Sequence, residues 1–98
     1  MRTITPIKVS RAMRDIAANL SLARRQQRIT VDLLAERAGV SAPTVSKLLN
    51  EGQGSLETLL RVARILGVLD CVVQATDPLN TPIGRLRADD DTPQRVRH

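Results

Sequence analysis

Apolar side chains recur at intervals of three and four residues along most of residues 10–67, a spacing typical of amphipathic helices. The first such stripe consists of Met13, Ile16, Ala17, Leu20 and Ala23. Ser10 precedes the stripe and is a favoured N-cap residue, so a first helix is predicted from Ser10 to about Gln27. Residues 1–9 lack this period, and we expect them to form an extended N-terminal arm.

Three further short helices are predicted, and each has a serine or threonine where it starts that suits the N-cap position, namely Thr30, Ser41 and Ser55. Their ranges are 31–38, 42–49 and 55–66. Pro43 lies in the first turn of the middle one, where a missing N–H costs little. Glycine follows the first and third of them, as is common where a helix ends.

The pattern changes at residues 69–75, where a run rich in β-branched side chains predicts a single strand. The expected fold class is therefore mainly α, with four helices and one C-terminal β-strand in a domain of residues 10–76. A lone strand leaves its backbone groups unpaired. We expect it to pair across the two-fold axis of a homodimer, with the arm or the tail as alternative partners. The residues assigned to this dimer strand are Leu69, Cys71, Val72, Val73 and Ala75.

Residues 77–98 are rich in proline, aspartate and arginine, and we expect them to form a flexible C-terminal tail. A few apolar side chains interrupt its polar sequence. With the neighbouring arginines they form a candidate segment for docking on a partner protein, which consists of Leu79, Ile83, Arg85, Leu86 and Arg87. A tail without any function is the alternative.

The segment 31–48 has the features that two short helices need in order to cross closely. Ala35 is small enough for a second helix to pack against it, and Gly39 can adopt a left-handed turn conformation without a Cβ penalty. Val40, Val45 and Leu48 are spaced to fill the wedge between the helices. The segment is therefore predicted to be a helix-turn-helix.

These residues resemble the helix-turn-helix of the XRE (Cro/C1-type repressor) family, and residues 55–67 (SLETLLRVARILG) resemble that family's next helix. The resemblance covers about residues 20–67 and implies a lambda-repressor-like bundle. It also implies that the second helix of the motif enters the major groove of DNA. The sequence departs from the family at Val31, where glutamine is common, and at Leu49, where a glutamate commonly pairs with the arginine equivalent to Arg24. We therefore expect Arg24 to be free for a DNA phosphate.

The resemblance assigns two sets of DNA-contacting residues. Candidates for base contacts are the outward positions of the second helix, Ala42, Pro43, Thr44, Ser46 and Lys47. Candidates for phosphate contacts are Arg24, Arg25, Arg28, Thr30, Ser41 and Asn50. For both sets the alternative interpretation is an ordinary solvated surface.

A strand directly after the fourth helix is similar to the order of elements in HipB-type antitoxins. This resemblance implies a homodimeric transcriptional repressor that binds double-stranded operator DNA and also holds a HipA-like kinase toxin inactive. A protein-interaction adaptor of the same fold that binds a partner protein and not DNA is the alternative function.

The net charge and the composition favour some classes of ligand over others. The 98-residue chain has a net charge of +5, and residues 1–54 carry the whole surplus. Such a surplus fits a nucleic-acid partner. Phenylalanine, tyrosine and tryptophan are absent, which argues against single-stranded nucleic acid because bases would lack a stacking platform.

Residue types also argue against catalysis and metal binding. With one cysteine and one histidine the sequence offers no zinc set, and we expect no catalytic residues, no metal and no cofactor. Cys71 is interpreted as a packed thiol. No apolar run is long enough for a membrane span, so a cytoplasmic, nucleoid-associated protein is expected.

Overall fold

Seven helical segments follow one another in the computed structural model, which describes residues 4–88. They are α1 (Ile7–Gln26), α2 (Val31–Ala38), α3 (Ala42–Glu51), α4 (Leu56–Leu66), α5 (Leu69–Ala75), a 3-10 turn (Pro78–Asn80) and α6 (Pro82–Leu86). The predicted mainly α fold with a helix-turn-helix is confirmed. Among the described residues, no helix combines the length and the apolar character that crossing a membrane requires.

Side-chain caps fix where α2, α3 and α4 begin. The hydroxyl oxygens of Thr30, Ser41 and Ser55 accept hydrogen bonds from backbone N–H groups three residues later, over 3.1, 3.2 and 3.0 Å. Each bond satisfies an N–H group that has no partner within its own helix. These three helices therefore begin where the sequence predicted.

The first helix starts earlier than predicted, at Ile7, so the last three residues of the expected extended arm are helical. The backbone carbonyl of Pro6 accepts hydrogen bonds from the N–H groups of Val9 and Ser10, both over 3.0 Å. Proline fits here because its fixed φ suits the residue before a helix and its missing N–H is not needed. Residues 1–3 of the predicted arm lie outside the described part of the chain.

The predicted strand is wrong, because residues 69–75 form helix α5. Leu69 and Val72 are half-buried and α5 packs on α4, whereas Cys71, Val73 and Ala75 are exposed. Leu69 and Val72, the half-buried residues of α5, are three residues apart and share one helix face, and their burial outweighs the weak strand preference of the valines. The expected dimer through paired strands loses its basis, and Cys71 is an exposed rather than a packed thiol.

The core lies between α1, α2, α3 and α4 and is entirely aliphatic. Leu34, Val45 and Val62 are completely buried at its centre. Around them lie Leu20, Ile29, Ala35, Ala38, Leu48, Leu49 and Leu66. Because two of these residues are alanines on α2, α3 can approach α2 closely, and the aliphatic core holds α3 against the rest of the bundle.

Two side-chain hydrogen bonds join α1 to the ends of other helices. The Ser21 hydroxyl donates to the carbonyl oxygen of Leu49 over 2.9 Å, and the Gln27 amide donates to the carbonyl oxygen of Leu66 over 2.8 Å. Carbonyl groups in the last turn of a helix lack intrahelical partners, so these bonds satisfy them. They also fix the C-terminal ends of α3 and α4 against α1.

The first part of the expected flexible tail is folded. Asp77 and Thr81 cap the 3-10 turn and α6, and the Asn80 side chain donates to the carbonyl oxygen of Gln74 in α5 over 2.6 Å. Gly84 lies so close to the carbonyl of Pro78 that a Cβ would overlap it. Local capping therefore folds residues 77–88, and residues 89–98 of the predicted tail lie outside the described part of the chain.

Candidate nucleic-acid interface

The turn between α2 and α3 sets the direction in which α3 projects. Gly39 adopts a left-handed conformation, with φ at 75° and ψ at 31°, and the N–H of Val40 donates to the carbonyl oxygen of Ala35 over 3.1 Å. A residue with a side chain would be strained there, so glycine allows the chain to reverse within three residues.

Arg61 holds this turn from outside. Its guanidinium group donates to the carbonyl oxygen of Ala38 over 3.1 Å and to the Glu57 carboxylate over 2.8 Å. The first bond satisfies a carbonyl at the end of α2, and the second orients the guanidinium group on α4. The sequence reading missed this role, because a solvent-exposed arginine on an amphipathic helix has no distinctive pattern.

Helix α3 has one buried face and one accessible face. Val45, Leu48 and Leu49 are buried. On the accessible side, Pro43 and Lys47 are exposed and the three other predicted base-contact residues, Ala42, Thr44 and Ser46, are half-buried. The face therefore presents one cation, two hydroxyl groups and a small apolar surface, the groups with which a helix reads base edges in a major groove.

The hydroxyl groups at the start of α3 are already arranged by the helix cap. The oxygen atoms of Ser41 and Thr44 lie 2.7 Å apart, and the Ser41 oxygen also accepts the N–H of Thr44. One of the two hydroxyls donates to the other, which leaves one hydroxyl proton and further lone pairs for a ligand. The cap thus limits the rotamers of Thr44 before any DNA arrives.

The predicted phosphate-contacting residues divide into free and engaged side chains. Within the described part of the chain, Arg25, Arg28 and Asn50 are exposed and free, whereas the exposed hydroxyls of Thr30 and Ser41 are engaged as the caps of α2 and α3. Arg24 is half-buried and donates to the carbonyl oxygen of Ile29 over 2.7 Å, contrary to the expectation that it is free for a phosphate. Its buried Nε atom has no hydrogen-bond partner within residues 4–88. Arg24 therefore supports the connection between α1 and α2.

An open cleft of about 400 Å³ continues from the C-terminal end of α3 to the first half of α1. Its polar lining includes Ser10, Arg14, Asn50, Glu51 and Gln53. Sequence reasoning identified only Asn50 among these as a candidate contact. Residues 14 and 53 are brought together by the packing of α1 on α3, which no local pattern reveals.

The residues of the predicted docking segment lie on the 3-10 turn and α6. Leu79 on the 3-10 turn and Ile83 and Leu86 on α6 are exposed, and Ile83 and Leu86, three residues apart, share one face of α6. Arg85 donates to the carbonyl oxygen of Leu79 over 2.9 Å, and Arg87 is exposed. The segment is folded locally and presents its apolar side chains to solvent.

No group of three histidine, cysteine, aspartate or glutamate residues between residues 4 and 88 is arranged to hold a metal ion. Basic residues are in excess on α1, which carries five of them against the single carboxylate of Asp15, whereas Lys47 and Glu51 balance each other on α3. The positive charge near α3 therefore comes from α1, and it favours an anionic ligand.

Comparison with known proteins gives one match. A helix-turn-helix family model matches residues 11–69, which is more than half of the chain and includes α2, α3 and α4. No curated protein and no solved structure matches the chain. The chain therefore belongs to the XRE-type helix-turn-helix family of DNA-binding regulatory domains.

Proposed function

We propose that the protein is a sequence-specific transcriptional repressor that inserts α3 into the major groove of double-stranded operator DNA. The observation that carries this proposal is the accessible face of α3, which presents Lys47 and two hydroxyl groups on a rigid aliphatic scaffold. The ligand is then the DNA of the nucleoid, so the protein acts in the cytoplasm.

Lys47 is the one cation among the base-contact candidates of α3, and so small a set of contacts supports action as a homodimer. One α3 offers few direct base contacts, whereas two helices related by a two-fold axis double them by entering successive grooves about 34 Å apart. A palindromic operator with half-sites separated by one helical turn is the expected target.

The test is an operator-binding titration with the double variant Lys47→Ala, Thr44→Ala. Each good base contact contributes about 1–3 kcal/mol, so we expect operator affinity to fall by at least tenfold. The control is Arg87→Ala, which removes the same charge from the exposed C-terminal part of the chain. Unchanged affinity of the double variant at matched salt would refute the assigned face.

We further propose that the protein is the antitoxin of a HipBA-like pair and that the segment formed by the 3-10 turn and α6 docks on a HipA-like kinase toxin. The exposed apolar side chains of Leu79, Ile83 and Leu86 on this locally folded segment support this role. Deletion of residues 77–98 should abolish binding of a purified HipA-type kinase while DNA binding is retained. Kinase binding that survives the deletion would contradict docking through this segment.

The alternative adaptor function predicts a different effect of salt concentration on binding to duplex DNA. Phosphate contacts release counterions, so affinity for duplex DNA must fall steeply as salt is added. A protein that binds only a partner protein will show no such duplex binding at any salt concentration.

A further inference from the structure

We propose that the cleft between α1 and the end of α3 seats a phosphate of the DNA backbone, with Arg14 as its cation. This inference rests on the proposed DNA-binding function and adds a contact that lies outside the helix-turn-helix. It assigns a ligand to Arg14 and Gln53, which the sequence motif does not mark.

The cleft is built by a close approach of two helices. Gly52 ends α3 in a left-handed conformation, and its Cα lies directly against the backbone carbonyl of Met13 in α1. This approach brings Arg14, one residue further along α1, to the same opening as Asn50 and Gln53. The cleft is therefore a fixed consequence of how α1 packs on α3.

Most side chains in the cleft are hydrogen-bond donors. Arg14 provides a guanidinium group, Asn50 and Gln53 provide amides, and Ser10 and Thr5 provide hydroxyls. Glu51 is the one carboxylate in the lining, and it forms no ion pair with Arg14. The lining therefore favours an anion that can accept several hydrogen bonds.

The donor groups of Arg14, Asn50 and Gln53 are unused within residues 4–88, where none of these side chains makes a hydrogen bond or an ion pair. By contrast, the guanidinium groups of Arg24 and Arg61 each donate to a backbone carbonyl. Arg14 thus has no structural partner to lose when it binds a ligand. Its charge is available to an incoming phosphate.

The cleft is continuous with the accessible face of α3. Asn50 follows Lys47 by three residues and Pro43 by seven, so all three lie along one side of the helix, and all three are exposed. When this side faces the major groove, the backbone strand that borders the groove lies next to the end of α3. A phosphate at that border would lie beside Asn50, which belongs both to this side of α3 and to the lining of the cleft.

The test uses duplex DNA of mixed sequence, because binding without sequence preference reports phosphate contacts and needs no known operator. Each neutralised phosphate contributes about 0.9 to the slope of log affinity against log salt concentration. We expect Arg14→Ala to reduce the magnitude of this slope by about 0.9 and Arg14→Lys to preserve it. A role of Arg14 in stability alone would not change the slope.

The matched control is Arg11→Ala, which removes the same charge from an exposed position on α1 that does not line the cleft. We expect its slope to equal that of the unchanged protein. If Arg14→Ala gives the same slope as Arg11→Ala, the phosphate seat is refuted. If the unchanged protein shows no salt-dependent binding to duplex DNA, the proposed function itself fails.

Inorganic phosphate distinguishes a DNA phosphate from a small free anion. The backbone amide resonances of Ser10 and Gln53 in nuclear magnetic resonance spectra report binding at the cleft. Inorganic phosphate should bind too weakly to saturate the site, whereas duplex DNA should shift both resonances. Saturation by inorganic phosphate together with an unchanged slope in Arg14→Ala would identify a free-anion site and overturn the DNA assignment.

Discussion

The close approach of α3 to α1 can be tested by adding a single methyl group at Gly52. Gly52 and Gly67 both end a helix in the left-handed conformation, with φ at 69° and 82°. They differ in their surroundings. A Cβ on Gly52 would lie 2.6 Å from the carbonyl carbon of Met13, whereas a Cβ on Gly67 would meet no atom within 4 Å. Gly67→Ala is therefore a control for backbone strain alone.

The expected magnitudes follow from this difference. Left-handed backbone costs a residue with a side chain about 1–2 kcal/mol, so Gly67→Ala should lower the free energy of unfolding by about 1 kcal/mol. Gly52→Ala has the same backbone strain and, in addition, an overlap between the new Cβ and the backbone of Met13, which must move away. Overpacking of this kind costs about 1–3 kcal/mol, which gives a total of about 2–4 kcal/mol.

Urea denaturation followed by far-ultraviolet circular dichroism measures both variants. We expect the urea concentration at the unfolding midpoint to be clearly lower for Gly52→Ala than for Gly67→Ala. The slope of the unfolding free energy against urea concentration should be the same in both variants. In thermal denaturation the loss corresponds to about 4–8 °C for each kcal/mol in a domain of this size. Equal destabilisation of the two variants, within about 0.5 kcal/mol, would show that α1 does not pack tightly against Gly52.

Two further predictions concern Arg61 and the core. Arg61→Ala should weaken operator binding because it removes the hydrogen bond to the carbonyl oxygen of Ala38, and Arg61→Lys should restore part of the affinity. The slope of log affinity against log salt concentration should stay unchanged, because no phosphate contact is lost. A slope reduced in magnitude by about 0.9 would instead reveal a direct phosphate contact. Leu34→Ala should cost about 2–5 kcal/mol of unfolding free energy, since Leu34 is completely buried. Leu56→Ala, at a position 69% exposed, should stay within about 0.5 kcal/mol of the unchanged protein, and a comparable loss in both variants would contradict the assigned core.

The comparison at α5 shows the limit of local propensity. Residues 69–75 have a composition that favours a strand, but the half-buried Leu69 and Val72 lie three residues apart, as on one helix face, and α5 packs on α4. No second strand is present between residues 4 and 88 to pair with such a strand. A helix satisfies its backbone hydrogen bonds within the segment, so it forms where a strand would remain unpaired.

By itself the sequence determined the features that depend on neighbouring residues. Capping side chains such as Ser41 and the left-handed Gly39 act within four residues, and so the bounds of the helix-turn-helix and its accessible face could be read directly. Only the tertiary structure decided that Arg61 binds the backbone carbonyl of Ala38, whereas Arg14 remains unpaired at a cleft. These roles depend on how helices distant in sequence pack together, and an arginine's sequence neighbours do not specify which distant carbonyl or opening its guanidinium group will reach.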